Sequence, residues 1–318
     1  QKLSSDPTAA DVEGQLFYNS TEGKFKIAVA GAGAWSSGGN LNTTRGETCG
    51  IGTKAATLAV GGSTPALTAV SETYDGSAWT AGNSSNTAAR NRKGTGTTTA
   101  AMIVGGWGSP AGINATEYYD GTCWTTQTGT LTRGGGYQSF AIAGASQASA
   151  VIFGGQPGTT YSKYSETWDG TSWSEGNDLN TLRQDPGGAG IITAALCIGG
   201  YVPPGETINV ESYDGSCWTE TSTDVNTARA QAASGGTSTA CLYYGGTPGA
   251  QAITESFNGS TWTEVADLAT GRYLCGGVLS PTSSNTSGIA MGGQTPPLTN
   301  VTEEWSDPVY ANKTVTVS

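Results

Sequence analysis

Short runs of consecutive apolar residues recur along the chain, and each run ends in a pair of glycines. Residues 101–104, with the sequence Ala-Met-Ile-Val, lead into one such pair, and the pairs begin at positions 61, 105, 154, 199, 245 and 292. Short apolar runs bounded by turn residues are typical of strands that are buried on both faces. No segment has the apolar period of an amphipathic helix. The pattern therefore predicts an all-β protein.

Three other residue types keep the same phase as the glycine pairs. A tryptophan, an arginine and a glutamate each recur six times at intervals of 43 to 50 residues, and Arg92 is the one arginine outside the series. A period of this length, kept by four markers, predicts a repeat protein of six units. The tryptophans are Trp35, Trp79, Trp124, Trp173, Trp218 and Trp262; the arginines are Arg45, Arg90, Arg133, Arg183, Arg229 and Arg272; the glutamates are Glu72, Glu117, Glu166, Glu211, Glu255 and Glu303.

Each unit is predicted to form four β-strands. The first strand follows the arginine, the second is the apolar run, the third carries the glutamate and an aromatic residue, and the fourth begins with the tryptophan. Between the third and fourth strands lies a pair such as Asp214-Gly215, which tolerates the positive φ angles of a tight hairpin turn. This combination of apolar run, Gly-Gly, Glu-x-Tyr-Asp and tryptophan over residues 33–307 resembles the kelch repeat. The resemblance implies a six-bladed β-propeller with four antiparallel strands per blade.

The order of the markers predicts how the ring closes. Trp35 marks a fourth strand with no complete set of strands before it, and the last unit has no fourth-strand tryptophan after Trp305. The strand around Trp35 should therefore complete the last blade, which would leave no open sheet edge. This divides the chain into an N-terminal extension with a β-hairpin (1–32), the propeller (33–307) and a C-terminal tail strand (308–318).

The repeated side chains are expected to be structural. A large aromatic residue at one fixed position per blade is suited to the core between blades, with sugar-stacking platforms as the alternative. Buried charges need partners, so the arginines and glutamates should pair within or between blades, with a functional ring of arginines as the alternative. The six cysteines favour free, buried thiols, because several occupy equivalent positions in different units. The best candidate for a disulfide is Cys49 with Cys275.

Composition removes several classes of chemistry. The chain has no histidine, so Ser-His-Asp and Cys-His systems and the usual histidine metal sites are excluded, and we expect no cofactor and no metal. A net charge of −11 disfavours binding to nucleic acid, and no apolar run is long enough to span a membrane. A glycosidase or lyase remains a distant alternative, which a pair of close, buried carboxylates in the central channel would favour.

Three aromatic residues in variable loops lie outside the repeat pattern, and these are the candidate ligand-binding residues: Trp107, Tyr161 and Tyr201. Exposed aromatic residues in polar loops can stack on sugars or anchor protein contacts. The alternative is that they pack over the bases of their own loops.

The ends of the chain carry the candidate assembly residues. Residues 14–19 and 24–27 predict a hairpin, and residues 312–318 alternate like an edge strand that could dock on a neighbouring subunit. The run 14–19, Gly-Gln-Leu-Phe-Tyr-Asn, resembles a segment of phage tail and fibre proteins, and residues 168–173 resemble repeats in marine phage virion proteins. The assembly residues are Leu16, Phe17, Tyr18, Phe25, Val315 and Val317.

These resemblances imply a non-enzymatic structural or adhesion protein of a phage particle, as a tail fibre, tail-tip or decoration component. Its expected partners are other virion proteins, further copies of itself in the assembly, and a host-surface glycan or protein. The alternative is a cellular lectin-like or protein-binding kelch propeller.

Overall fold

The computed structural model describes residues 1–133, 137–278 and 285–316. The regular secondary structure of the described residues is almost entirely β-strand, with one short 3-10 helix at Ala9–Val12. The strands that precede the first complete repeat are β1 (Lys2–Leu3), β2 (Leu16–Asn19), β3 (Lys24–Gly31) and β4 (Ala34–Ser37). Units 1 and 2 contain β5 (Cys49–Thr53), β6 (Ala56–Val60), β7 (Ser71–Tyr74), β8 (Trp79–Gly82), β9 (Lys93–Thr97), β10 (Ala100–Val104), β11 (Ala115–Tyr119) and β12 (Trp124–Thr130).

The later units have the same four principal strands, with short additional strands in units 3 and 4. Units 3 and 4 contain β13 (Tyr137–Gln138), β14 (Ala141–Ser146), β15 (Ser149–Phe153), β16 (Gln156–Pro157), β17 (Ser165–Trp168), β18 (Trp173–Glu175), β19 (Gly187–Ile191), β20 (Ala194–Ile198), β21 (Tyr201–Val202), β22 (Gly205–Glu206), β23 (Val210–Tyr213) and β24 (Trp218–Glu220). The remaining strands are β25 (Ala233–Thr237), β26 (Ala240–Tyr244), β27 (Thr254–Phe257), β28 (Trp262–Glu264), β29 (Gly276–Val278), β30 (Ser287–Met291), β31 (Thr302–Ser306) and β32 (Val309–Thr314).

Within the described ranges, each of units 1 to 5 folds as one four-stranded antiparallel sheet whose strands follow chain order. The last sheet has the order β29-β30-β31-β4, so a strand from the N-terminal region completes it, with Trp305 opposite Trp35. The first strands of the sheets contact one another in the cyclic order β5, β9, β14, β19, β25, β29 and back to β5. This all-β arrangement is that of a β-propeller.

Packing between sheets explains the apolar runs. The second strand of each unit lies between two neighbouring sheets, and residues 101–104 are completely buried. Such a strand must be apolar at every position rather than at alternate positions. The first strands approach still more closely: a β-carbon on Gly277 would lie 2.5 Å from the β-carbon of Ala233 in the adjacent sheet. Small residues in the first strands are therefore a steric requirement.

The repeated tryptophans form the core between sheets, as expected. Trp79, Trp124, Trp173, Trp218 and Trp262 are buried, and each packs on the aromatic residue of the preceding strand, as Trp218 does on Tyr213 at 4.9 Å between ring centroids. The indole N–H groups of Trp79, Trp124 and Trp173 reach neighbouring units. Trp79 Nε1, for example, donates to Thr302 Oγ1 at 3.0 Å, from unit 1 to unit 6. Their burial leaves no stacking platform for a sugar at these five positions.

Buried ion pairs join the arginine that leads into the first strand with the glutamate of the third strand of the same unit. Arg183 Nη2 lies 2.7 Å from Glu211 Oε1, and both side chains are almost fully buried. The equivalent pairs are Arg45–Glu72, Arg229–Glu255 and Arg272–Glu303. The carboxylates also accept backbone N–H groups of the leading loop, as Glu211 does from Asn180 and Thr181. These arginines are thus structural.

Units 2 and 3 correct the predicted arginine series. In unit 2 the partner of Glu117 is Arg92, at 2.7 Å, and not Arg90. The repeat position itself is Ala89, whose carbonyl accepts the N–H of Gly62 in the way that the Arg183 carbonyl accepts that of Gly155. The prediction relied on the spacing between arginines, and Arg90 lies one residue after the true repeat position.

In unit 3 the guanidinium of Arg133 lies 3.2 Å from the Glu175 carboxylate and 3.7 Å over the ring of Tyr164. Only its backbone N–H reaches Glu166, at 3.3 Å. Residues 134–136 of the same loop lie outside the described residues. Arg133 is therefore not the equivalent of the buried arginines.

The two ends of the chain form a separate four-stranded sheet of order β1-β2-β3-β32. The predicted hairpin is confirmed, with Leu16 opposite Ile27 and Tyr18 opposite Phe25. The C-terminal strand pairs with β3 of the same chain, with Val29 opposite Ala311. One edge of the C-terminal strand is therefore paired within the chain, and the strand lies at the edge of its sheet. The expectation that it docks on a neighbouring subunit stays a prediction. We call this sheet the terminal sheet.

The six cysteines are free thiols, and Cys49 and Cys275 form no disulfide. Cys49, Cys197 and Cys241 are buried, as expected. Cys123 and Cys217 are exposed, because they precede the tryptophan in the turn at the outer edge of their sheets.

Replacing one repeat arginine tests the role of the ion pairs. Arg229→Met leaves the Glu255 carboxylate buried without its cation, and we expect a loss of roughly 3–5 kcal/mol in the free energy of unfolding. The control is Lys163→Met, which removes an exposed pair with Asp178 at 3.5 Å and should cost at most about 1 kcal/mol. Urea unfolding followed by tryptophan fluorescence measures both, and equal losses would contradict a structural role for the buried pair.

Candidate functional site

A cavity of about 130 Å³ lies where the first strands of all six sheets meet, and we call it the central cavity. Its wall is mostly glycine and alanine backbone, with the side chains of Thr48, Cys49, Thr95, Ser234 and Lys93. A second cavity of about 30 Å³ shares six of its lining residues with the first. This second cavity, the mouth, carries most of the polar side chains, among them Glu47, Asn91, Asp185 and Gln231.

The mouth is built on six residues in the left-handed region, one from each unit, with φ between 50° and 57°. These residues are Glu47, Asn91, Ser139, Asp185, Gln231 and Leu274. Their backbones join neighbouring units: the N–H of Glu47 donates to the carbonyl of Leu274, that of Asn91 to Glu47, and that of Gln231 to Asp185. Left-handed backbone is costly for residues other than glycine and persists where the surrounding structure fixes it. The mouth therefore holds its side chains on a rigid frame.

Two carboxyl groups at the mouth have raised pKa values. Burial raises the pKa of Glu47, and the nearby Asp185 raises it further, while Arg90 opposes the shift. Burial also raises the pKa of Asp185, against hydrogen bonds from Ser139 and Gln231 and the charge of Lys93. Glu47 has its own cation, since Arg90 Nε lies 3.2 Å from its Oε2. Sequence analysis did not single out Glu47 and Asp185, because the six positions of the frame carry six different residue types.

The loop aromatic residues divide into two arrangements. Trp107 is half-buried under the guanidinium of Arg90, which lies 4.8 Å from its ring centroid, so it supports the arginine that neutralises Glu47. Tyr161 and Tyr201 come from adjacent units, and their ring centroids lie 5.9 Å apart at an interplanar angle of 46°. Both tyrosines are half-buried. The structure therefore brings together two of the three predicted ligand-binding residues.

The terminal sheet has one apolar outer face. Strand alternation and the register place Leu16, Tyr18, Phe25 and Ile27 on this face. Leu16 and Phe25 are 54% and 55% exposed, and Val315, whose N–H donates to the carbonyl of Phe25, is 41% exposed.

Phe17 belongs to the opposite face of the same sheet. It is 3% exposed, so it is not part of the predicted assembly surface. It points inward because consecutive side chains of β2 alternate between the two faces. Val317, also predicted to take part in assembly, lies outside the described residues.

Among the described residues, no three histidine, cysteine, aspartate or glutamate side chains are grouped so that they could hold a metal ion. No helix in the described ranges has the length and apolar character that crossing a membrane requires.

No family model matches the chain, and no curated protein matches it. Among solved structures, that of YjhT is similar: the TM-score is 0.69 at 13% sequence identity, and the match covers 89% of this chain and 97% of that one. At this identity the similarity shows the fold alone.

The raised pKa of Asp185 predicts a pH-dependent effect of Asp185→Asn. A carboxyl whose pKa is raised in the folded state makes the folded protein less stable as the pH rises. The loss begins near the ordinary pKa of the group, 3.8, and is complete above the raised pKa. Asparagine does not titrate and tolerates left-handed backbone. We therefore expect the variant to be close to the unchanged protein in stability at pH 3 and more stable at pH 7, as measured by urea unfolding.

The control for this measurement is Asp178→Asn, which removes a carboxyl with a 32% exposed side chain away from the mouth. It should change the free energy of unfolding by about 0.5 kcal/mol or less at both pH values. A stabilisation of Asp185→Asn that is equal at pH 3 and pH 7 would show that backbone conformation, and not charge, is responsible.

Proposed function

We propose that the chain is a non-enzymatic structural and adhesion component of a phage particle, in which a closed six-bladed propeller is attached through its terminal sheet. The phage assignment rests on the resemblance of residues 14–19 and 168–173 to phage virion segments. The observation that carries the attachment role is the apolar outer face of the terminal sheet, formed by both ends of the chain.

Three contacts support a single closed ring of six blades. β4 pairs with β31 in the last sheet, β29 contacts β5, and the N–H of Gly293 in unit 6 donates to the carbonyl of Arg45 in unit 1 at 2.9 Å. The Trp79 to Thr302 hydrogen bond crosses the same junction. Because its first and last units are joined by backbone and side-chain contacts, the propeller would act as a rigid body.

The ends of the chain, which form the terminal sheet, carry most of the large apolar side chains that are exposed on the described chain. Of the six large apolar side chains that are exposed in the described chain, Leu16, Phe25, Tyr310 and Val315 belong to the ends, and only Leu182 and Ile208 belong to the propeller. Exposed apolar patches of this kind mark interaction sites. A partner within the particle would cover Leu16, Phe25 and Val315 and leave the propeller surface free.

The position of the terminal sheet suits an attachment role. Ala34, at the start of β4, lies opposite Ser306, at the end of β31. Lys54, in the β5–β6 turn, donates from Nζ to Ser306 Oγ at 2.6 Å. The terminal sheet is therefore connected at the rim that carries the turns between first and second strands. The loops with Trp107, Tyr161 and Tyr201 follow the second strands and therefore lie at the opposite rim. One rim would face the particle, and the other would face the host surface or a neighbouring subunit.

Charged substitutions on the outer face test the attachment. Leu16→Asp and Phe25→Asp should abolish incorporation of the chain into particles, because a carboxylate would be buried without a partner in the joint. Stability of the isolated protein should change by only about 0.5 kcal/mol, since both positions are exposed. Immunogold electron microscopy of purified particles, with an antibody against the propeller, measures incorporation and locates the label.

The matched control is Leu182→Asp, at an exposed leucine on the propeller, which should leave labelling unchanged. Label at the tail tip or fibres supports the adhesion role, and label over the capsid or tail shaft indicates a decoration component. Absence of label from every particle purified from a phage that encodes the unchanged chain would overturn the virion proposal.

A second candidate function, a lectin-like propeller of cellular origin, is favoured by the Tyr161–Tyr201 pair. Two aromatic rings from adjacent blades, both half-buried on the loop side, offer edges and faces against which a sugar ring could pack. If this is the function, Tyr161→Ala and Tyr201→Ala should each weaken glycan binding at least tenfold on an array. Tyr273→Ala, at a half-buried loop tyrosine of unit 6, is the control. Unchanged binding by both variants would remove this candidate.

A further inference from the structure

Not all of the charged side chains that line the mouth are paired in direct contacts. Glu47 is paired with Arg90, and Arg92 is paired with Glu117. The two remaining charged residues of the lining are Lys93 and Asp185. Asp185 accepts hydrogen bonds from neutral donors only, the Ser139 hydroxyl and Gln231 Nε2. Among the described residues, the ammonium group of Lys93 has no ion-pair partner within 4.0 Å and donates no hydrogen bond, although its backbone pairs with Val104 in the sheet.

Lys93 and Asp185 face the same cavity from different units, unit 2 and the lead-in to unit 4. They are close enough for the ammonium of Lys93 to lower the pKa of Asp185, yet their charged atoms do not come within 4.0 Å. Because both side chains line this cavity, a ligand bound in it would contact both. A cation on one wall and an anion on another are the complement of a molecule that carries both charges.

We propose that the mouth of the central cavity binds a compact zwitterion, a small amino acid whose carboxylate contacts Lys93 and whose ammonium contacts Asp185. The Asn91 and Gln231 amides, which line the same mouth, supply further hydrogen-bonding groups. This binding role is independent of the attachment through the terminal sheet.

The size of the site limits the ligand. Drug-sized ligands occupy pockets of roughly 300–1,000 Å³. The mouth has about 30 Å³ and the adjoining central cavity about 130 Å³, so a ligand held between Asp185 and Lys93 would extend from the mouth into the central cavity. Its glycine and alanine walls cannot retreat, because the first strands are already in contact across neighbouring sheets. An amino acid with a short side chain fits this limit, and one with an aromatic side chain does not.

The left-handed frame makes the site specific. Asp185 belongs to the frame itself, and Lys93 follows Asn91 of the frame by two residues. The frame is joined from unit to unit by backbone hydrogen bonds of 2.6–3.1 Å. Charged groups held on such a scaffold lose little conformational freedom on binding, which favours recognition of a small ligand.

Three probes with the same carbon skeleton test the proposal: alanine carries both charges, propanoate the negative charge and propylamine the positive charge. Binding to the full chain is measured by isothermal titration calorimetry and by ligand-observed NMR. We expect alanine to bind at least tenfold more tightly than either of the other probes. Lys93→Gln and Asp185→Asn should each weaken alanine binding at least tenfold.

The matched controls are Lys163→Gln and Asp178→Asn, the members of an exposed ion pair outside the mouth, and both should bind alanine as the unchanged protein does. Phenylalanine should not bind. Equal binding of alanine and propanoate would replace the zwitterion site with an anion site at Lys93. No binding of any probe to the unchanged protein, with its fold verified by circular dichroism, would overturn the proposal.

Discussion

The buried ion pair between the repeat arginine and the repeat glutamate is the contact on which the shape of each unit depends. In unit 4, Arg183 donates from Nη1 to the carbonyls of Gly199 and Asn209 and from Nη2 to Glu211. One side chain thereby fixes the loop that leads into the unit, the glycine pair and the start of the third strand. Two charges removed from water are costly, and the cost is offset only when their remaining hydrogen-bonding groups are also satisfied. Backbone carbonyls that accept from the arginine and backbone N–H groups that donate to the glutamate satisfy most of these hydrogen-bonding groups.

The arginine also determines what lies next to it along the chain. The residue two positions after Arg45, Arg183, Arg229 and Arg272 is left-handed, and it is this residue that lines the mouth. Unit 2 differs from these units, because the arginine that pairs with its glutamate, Glu117, is Arg92, which follows the left-handed residue Asn91 instead of preceding it. Arg90 is then free to pair with Glu47, and the Lys93 ammonium remains on the cavity wall with no ion-pair partner among the described residues. The irregular unit thus creates the charge arrangement on which the proposed ligand site depends.

Much of the fold could be predicted from the sequence, because the same pattern of residue types recurs in six units. Apolar runs, tryptophans and hairpin turns are determined by local burial, and each is visible in residue type. The prediction that Arg90 pairs with Glu117 was wrong, because spacing alone cannot distinguish two arginines that lie two residues apart. The mouth could not be predicted, since its shared property is a backbone angle carried by residues as different as Leu274 and Asp185. Pairing of β32 with β3 joins residues nearly the whole chain apart, and nothing local indicates it.

The division between repeated and unrepeated residues is also a guide to function. A side chain that recurs in every unit meets a need that every unit has, which is packing or the satisfaction of buried polar groups. Lys93, Tyr161 and Phe25 meet no such need, and each lies at a surface or cavity that the repeat leaves open. Since the frame around them is rigid, a partner gains little from rearranging the propeller and must match these positions as they stand. Binding by this chain should therefore depend on a few irregular side chains, while the repeated ones should affect it only through stability.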